Sequence, residues 1–323
     1  RATTRPTADP GAYDLYLRGR FLATKSSQRE LRQSLVYFAQ ALERDPGMAE
    51  AHSGIAWTWA ALADAYVSPA EAYPRTKAAA LRAIALDSMG AEAYLALGEA
   101  LAFHDWDFTG AERALRRAMT LRPNYAEAHS MFGLFLPAMG RADESIAQLD
   151  TALALDPLYV LGGWQRAWVL YSAHGRYREA LAQYQRMLEL DPQYFYLESM
   201  EGAAYRELGL PDSAFAAFAR AAPLAGSQPM GQLAVAYAKV GRRNEAVDVV
   251  RALEKWYGQH YYPPEYVAAA WASVGEMDQA FTWMNKVFEV RSSLWLFFGK
   301  APEFDTMRRD ARWGVLERRA RGQ

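Results

Sequence analysis

A three-residue stripe returns along this chain about every 34 positions, and no other feature of the sequence restricts the fold as strongly. Each stripe has a small residue, an apolar one four positions on, and a small or apolar one three beyond that. The sets are Ser34/Phe38/Ala41, Thr76/Ala80/Ala83, Ala111/Leu115/Ala118, Ser145/Leu149/Ala152, Ala180/Tyr184/Met187, Ala214/Phe218/Ala221, Ala246/Val250/Leu253 and Ala280/Met284/Val287. Successive first members lie 42, 35, 34, 35, 34, 32 and 34 residues apart. Offsets of four and three fall on one face of a helix. The small members let neighbouring backbones approach, and the larger ones fill the space between them.

The punctuation repeats in the same frame. Asp45-Pro46, Arg122-Pro123, Asp156-Pro157 and Asp191-Pro192 close a helix after the stripe, because proline cannot continue the ladder. Glycines at Gly140, Gly175, Gly209, Gly241 and Gly275 stand where a preceding helix must end. That preceding helix has its own recurring pattern, seen in His52/Ile55/Ala56/Trp59, Tyr94/Leu97/Gly98/Leu101, His129/Phe132/Gly133/Leu136 and Trp164/Ala167/Trp168/Tyr171. The reading is an all-α solenoid of helix-turn-helix units, about eight of them, in which each unit buries its face against the next. The expected boundaries are a 1–11 extension, units at about 12–48, 49–90, 91–125, 126–159, 160–194, 195–227, 228–260 and 261–291, and a 292–323 cap. Extra residues around Thr24 to Glu30 and from Asp64 to Lys77 are expected to form surface loops.

Composition excludes several classes of function. A net charge of −1 offers no global attraction to nucleic acid or anionic membrane, and the absence of cysteine removes disulfides and thiolate metal sites. No apolar run reaches spanning length: Val267 to Val274 is short, and Val160 to Ala173 carries Gln165 and Arg166. The five histidines, His52, His104, His129, His174 and His260, include no pair at metal-binding helical spacing. His52 and His129 take a packing position, and His104-Asp105 is expected as a solvated pair in a loop. No phosphate loop or nucleophile elbow appears, so no catalytic residue, metal ligand or cofactor is assigned. The arginines Arg308, Arg309, Arg312, Arg318, Arg319 and Arg321 alternate with acids around Trp313, as expected of an amphipathic capping helix over the aromatic run Trp295 to Phe298.

These residues resemble tetratricopeptide repeats over Tyr13 to Arg291. The opening Ala12-Tyr13-Asp14-Leu15-Tyr16-Leu17-Arg18-Gly19-Arg20 is similar to the first helix of repeat regions at the carboxyl end of large bacterial signalling proteins. Leu294-Trp295-Leu296-Phe297-Phe298, Pro302-Glu303-Phe304-Asp305-Thr306-Met307-Arg308 and Arg312-Trp313 resemble the way such regions close. The resemblance implies a right-handed superhelix and a sensory or interaction module that follows a serine/threonine kinase, a nucleotide cyclase or a winged-helix domain. The chain starting at Arg1 instead of methionine fits a fragment or a processed product. Asp87-Ser88 and Ala222-Pro223 depart from the pattern. The chaperone-binding clamp is absent too, since its positions hold Ser53, Trp57, Ser130 and Leu134.

First helices line the concave side of such a stack. Projecting the repeat frame onto them gives the candidate groove residues Tyr13, Tyr16, Arg20, Trp57, Glu99, Phe103, Gln165, Tyr196, Arg206, Lys239, Tyr262 and Glu265. Aromatics and arginine carry most of the energy at protein interfaces. Glu50, Glu92, Glu99 and Glu127 favour a basic partner segment, although acids are also usual in the first turn of a helix. A protein or peptide partner is the leading expectation, with no direct nucleic-acid binding. A small-molecule or lipid receptor and a self-association module (a homo-oligomer) are the alternatives.

Overall fold

The computed structural model describes residues 7–25, 27–63, 65–226, 228–292 and 300–320. The aromatic run Trp295 to Phe298, Asp64 and Arg321 lie outside them. Among the described residues, sixteen helices follow one another as eight pairs: α1 (Pro10–Ala23), α2 (Gln28–Arg44), α3 (Ala49–Leu62), α4 (Pro69–Leu86), α5 (Ala91–Ala100), α6 (Phe108–Leu121), α7 (Ala126–Phe135), α8 (Ala142–Leu155), α9 (Val160–Ser172), α10 (Tyr177–Leu190), α11 (Phe195–Glu207), α12 (Pro211–Ala225), α13 (Gly231–Lys239), α14 (Arg243–Tyr257), α15 (Pro264–Ser273) and α16 (Met277–Val290). A 3-10 turn (Pro302–Phe304), a one-turn helix α17 (Asp305–Arg308) and α18 (Ala311–Ala320) follow them. Among the described residues there is no strand, only an isolated bridge between Ala63 and Val67. The chain is an all-α helical repeat solenoid.

It divides into two compact units, residues 1–128 and 129–323. In the first, each helix from α1 to α6 packs on its sequence neighbours, and α3 also touches α1 and α5. In the second, α13 likewise touches both α11 and α15. The stripe residues form the interior of each unit. None of the 24, from Ser34 to Val287, is more than 2% exposed. Burying a Leu- or Phe-sized side chain yields ~1.5–3 kcal/mol, and the stripes share this gain with first-helix residues such as Phe132, Trp168 and Tyr171.

The Asp-Pro punctuation works through the aspartate as much as the proline. Asp45 and Asp156 leave the helix with extended backbone, and Asp191 leaves it at φ −137°, ψ 87°. Each then accepts a hydrogen bond from the amide two residues on, at Gly47 (3.0 Å), Leu158 (3.0 Å) and Gln193 (3.2 Å). This Asx turn aims the chain at the next helix. Asp87 makes it to Met89 at 2.9 Å without a following proline, which explains why Asp87-Ser88 serves as well. Between paired helices the backbone turns left-handed, as at Gly140 (φ 77°) and Gly275 (φ 88°).

Two expectations about loops need correction. Most of the Asp64 to Lys77 insertion is helical: Pro69 opens α4 at a position where its missing N–H costs nothing, and Pro74 lies inside the helix. His104 and Asp105 sit in a π-helical turn, Leu101–Asp105, that extends α5. They are half-buried. His104 Nδ1 lies 2.9 Å from Asp105 Oδ1, and Lys77 Nζ reaches the other carboxylate oxygen at 2.5 Å.

Candidate binding cleft

In unit 1 the first helices and the turn before α7 enclose an open cleft of about 340 Å³. Arg20 and Thr24 come from the end of α1, Trp57 from α3, and Glu92 from the first turn of α5. Arg122, Asn124, Tyr125 and Glu127 come from the turn after α6 and the start of α7. Trp57 is 38% exposed, although α3 is otherwise well buried. Its position follows from the repeat, since the chain places a tryptophan one residue past Ala56, whose own side chain is fully buried.

The charges are arranged around Glu92. Arg20 Nη1 donates to Glu92 Oε2 at 3.0 Å, and Arg122 Nη2 lies 3.5 Å from Oε1. Arg20 also donates to the Tyr16 hydroxyl at 3.2 Å, and Arg122 covers the Tyr125 ring at 4.5 Å. These two guanidinium groups face two carboxylates of the lining, Glu92 and Glu127, and further acids lie behind them. Glu50 is held above the usual range by burial, and the charges of Asp87, Glu92 and Asp45 push it the same way. Glu99, half-buried on α5, is pushed up to about 8 by burial. Tyr125 is raised by burial and by the charges of Glu92 and Glu127. The lining sets Glu92 and Glu127 against Arg20 and Arg122, and Glu50, which feels the charge of Glu92, adds a further acid beside them, so a cation entering this cleft gains more than an anion would.

The twelve residues projected from the repeat frame fall into different settings. In unit 1, Arg20 and Trp57 line the cleft, Tyr13 and Glu99 are half-buried, and Tyr16 is buried on Phe38 with ring centroids 6.0 Å apart. Phe103 is buried as well, stacked on Tyr73 of α4 at 5.9 Å. The π-helical turn carries it to that side, because an added residue per turn rotates the helix face.

In unit 2, Lys239 is exposed and Tyr196 is half-buried, 6.0 Å edge-to-face from Tyr194. Gln165, Arg206, Tyr262 and Glu265 are buried. Gln165 accepts a short hydrogen bond from the Ser130 hydroxyl. The Tyr262 hydroxyl accepts from the Gly231 amide at 3.4 Å. Glu265 accepts from Ser292 at 2.6 Å.

Arg206 is the centre of a buried polar network. Its Nε donates to Glu207 at 2.7 Å, its Nη1 to the side chain of Gln232 at 2.7 Å, and its Nη2 to the Tyr171 hydroxyl at 2.7 Å and to Glu303 Oε1 at 2.6 Å. Tyr171 donates to the same Glu303 oxygen at 2.6 Å. The segment after α16 therefore lies against first helices of unit 2, with Ser292 on α15 and Glu303 on α9 and α11.

The projection omitted Arg122, Tyr125, Gln232 and Glu303. Arg122 and Tyr125 belong to the inter-repeat turn, and the signal there was an arginine and an aromatic flanking Pro123-Asn124. Glu303 carried no signal, because its partners lie up to 132 residues away. Among the described residues no cluster of His, Asp and Glu is arranged to hold a metal ion, and no helix is long and apolar enough to cross a membrane.

No family model and no curated protein matches the chain. Solved structures do match. TTC0263, a thermophilic TPR protein of Thermus thermophilus, is 25% identical; the match covers 60% of this chain and 98% of that one, with a TM-score of 0.51. Human IFIT1, solved as a dimer with m7Gppp-AAAA, is 15% identical over 89% of this chain and 74% of its own, with a TM-score of 0.63. The fold is of the tetratricopeptide-repeat type.

Proposed function

We propose that this chain is a non-catalytic protein-binding module whose unit 1 cleft receives a basic peptide segment of a partner. One observation carries the reading: an exposed Trp57 lines the cleft with Glu92 and Glu127, while Glu99, whose charge reaches the lining residue Tyr125, is kept protonated near neutral pH by burial. A lysine or arginine of the peptide placed over Trp57 gains ~0.5–2 kcal/mol from the ring face. A basic side chain of the peptide placed near Tyr125 stabilises the Glu99 carboxylate, so binding releases a proton. IFIT1 was solved with a capped RNA fragment, but here both cleft arginines are paired with Glu92, which a phosphate would have to displace, and we assign no nucleic acid to the cleft. An open cleft crossed by ion pairs also disfavours a lipid. The resemblance of the end segments to bacterial signalling proteins supports placing the module in a multidomain protein of that kind. Coding sequence upstream of Arg1 should then specify a kinase, cyclase or winged-helix domain.

The test is fluorescence anisotropy with labelled basic, acidic and neutral peptide libraries and a capped tetra-adenylate. Basic peptides should bind best, more weakly at high salt, and more tightly as pH rises from 6 to 9. Trp57→Ala and Glu99→Gln should each weaken them by roughly tenfold or more, the loss of one good contact. Equal binding of acidic peptides or of the RNA would overturn the proposal, as would indifference to both substitutions.

A further inference from the structure

Among the described residues, the first and the last repeat differ in what covers them. At the carboxyl end α18 covers α16. Trp313 and Leu316 are buried, Arg312 lies 4.3 Å over the Phe281 ring, and Arg319 lies 4.0 Å over Phe288. At the amino end α1 presents Leu17 (46% exposed) and Phe21 (61%) to solvent. Together with Arg18, Leu22 and Tyr37 they line an open cleft of about 340 Å³. Charges rim this patch: Arg18 pairs with Asp14 at 2.9 Å, and Lys25 lies 4.7 Å over the Phe21 ring.

The repeat register identifies what this face is for. Gly19 of α1 and Gly98 of α5 both back onto the central stripe residue of their own hairpin, Phe38 and Leu115 respectively. They are therefore equivalent, and Ala56 takes the same place in α3. Two residues earlier stand Leu17, Gly54 and Ala96; two residues later stand Phe21, Thr58 and Ala100. In α3 and α5 these flanking positions meet the preceding hairpin. A Cβ on Gly54 would come within 2.6 Å of Phe38, Thr58 shares a hydrogen bond with Ser34 at 3.2 Å, and Ala96 clusters with Ala80. In α1 the same positions form an open stacking face.

We infer that this face is a homodimer interface, occupied by the α1–α2 end of a second copy of the chain. Two points select that occupant. The positions that admit a close neighbour inside the array are Gly, Ala and Thr, whereas α1 carries Leu and Phe. A further hairpin of the same kind could not seat at the same depth, but two bulky apolar faces can interdigitate. Among the described residues the last repeat is already covered by α18, which disfavours head-to-tail growth, whereas a two-fold pairing closes the assembly at two. The inference does not depend on the peptide-binding reading, because Trp57 and Glu99 take no part in it.

Light scattering on the full chain should show a mass that rises with concentration from 36.2 kDa to twice that value. Leu17→Glu/Phe21→Glu should raise the dimer dissociation constant roughly 100-fold or more, since it buries paired carboxylates in an apolar contact. The milder Leu17→Ser/Phe21→Ser should act in the same direction, and circular dichroism would verify that both fold. Leu158→Glu, at a 70% exposed leucine elsewhere on the chain, should leave the mass unchanged. A wild-type mass of one chain at every concentration overturns the inference and gives the face to some other partner. So does a folded double variant that dimerises as tightly as wild type.

Discussion

Replacing Arg206 with methionine tests whether unit 2 is held together by the buried network as its geometry requires. The guanidinium side chain is 3% exposed, and each of its three nitrogens donates to a protein acceptor. Methionine fills much of the volume but leaves the Glu303 carboxylate buried, its Oε1 bonded only to Tyr171 and its Oε2 without a hydrogen-bond partner. Stranding one member of a buried ion pair costs about 3–5 kcal/mol. Glu207 adds little to this, because Lys239 still holds it at 2.7 Å. For a unit spanning 129–323, each kcal/mol lowers the melting temperature by about 2–4 °C, which gives a drop of about 6–20 °C. Glu303→Gln should cost less, about 1–2 kcal/mol, since its amide oxygen still accepts from Arg206 and Tyr171. The decisive variant is Arg206→Met/Glu303→Leu, which removes both charges. Its loss should be smaller than the sum of the two single truncations by ~2–3 kcal/mol, read from urea titrations of all four proteins. Strict additivity, or a drop below ~3 °C for Arg206→Met, would refute the idea that the carboxylate depends on this arginine.

Other predictions concern unit 1. Glu99 has a folded-state pKa near 8 against an ordinary 4.5, so between those values the folded chain binds more protons than the unfolded one. Stability should therefore fall as pH rises from about 4.5 to 8 and level off above it; Glu99→Gln should flatten the decline and raise the melting temperature at pH 8.5, as scanning calorimetry would reveal. Gly54→Ala should destabilise by ~1–3 kcal/mol in urea unfolding, because the added carbon meets the fully buried ring of Phe38 at 2.6 Å. At Gly140, where φ is 77° and the space is open, alanine should cost only about 1 kcal/mol, all of it backbone strain. Trp57→Ala should leave the melting temperature within about 2 °C while weakening peptide binding.

The stripes from Ser34 to Val287 could be read from the chain because everything that places them is local. Their spacing is helical, their helices end at Asx turns and left-handed glycines, and the neighbour that buries each stripe is the next element in sequence. The same logic gave Arg20 and Trp57 as residues of an accessible surface. It gave no means of separating them from Tyr16, Gln165, Arg206, Tyr262 and Glu265, which occupy comparable helices and are buried. The difference comes from what arrives over them. Ser292 and Glu303 reach the first helices of unit 2 from beyond the last repeat, and a glutamate in a Pro-Glu-Phe turn looks like any surface acid until Arg206 is opposite it. Phe103 misled for another reason, since the π-helical turn breaks the 3.6-residue register on which the projection relied.

The covering segment bears directly on where a partner can bind. In unit 2 the polar atoms of Arg206, Tyr171 and Glu265 already bond to residues of the chain's own closing segment. A ligand seeking them must first break bonds of 2.6 Å and expose a carboxylate that is almost wholly buried. In unit 1 a ligand meets a different situation. Glu92 shares its charge between two arginines that are about half exposed, one of them at 3.5 Å, and exposed pairs of this kind are worth at most ~1 kcal/mol. Opening such a pair costs far less than opening the buried network, so a basic segment can take the place of Arg122 beside Glu92 at little expense. That difference in the cost of displacement, more than the number of aromatic or charged residues on either face, directs the search for a partner to Trp57, Glu92 and Tyr125.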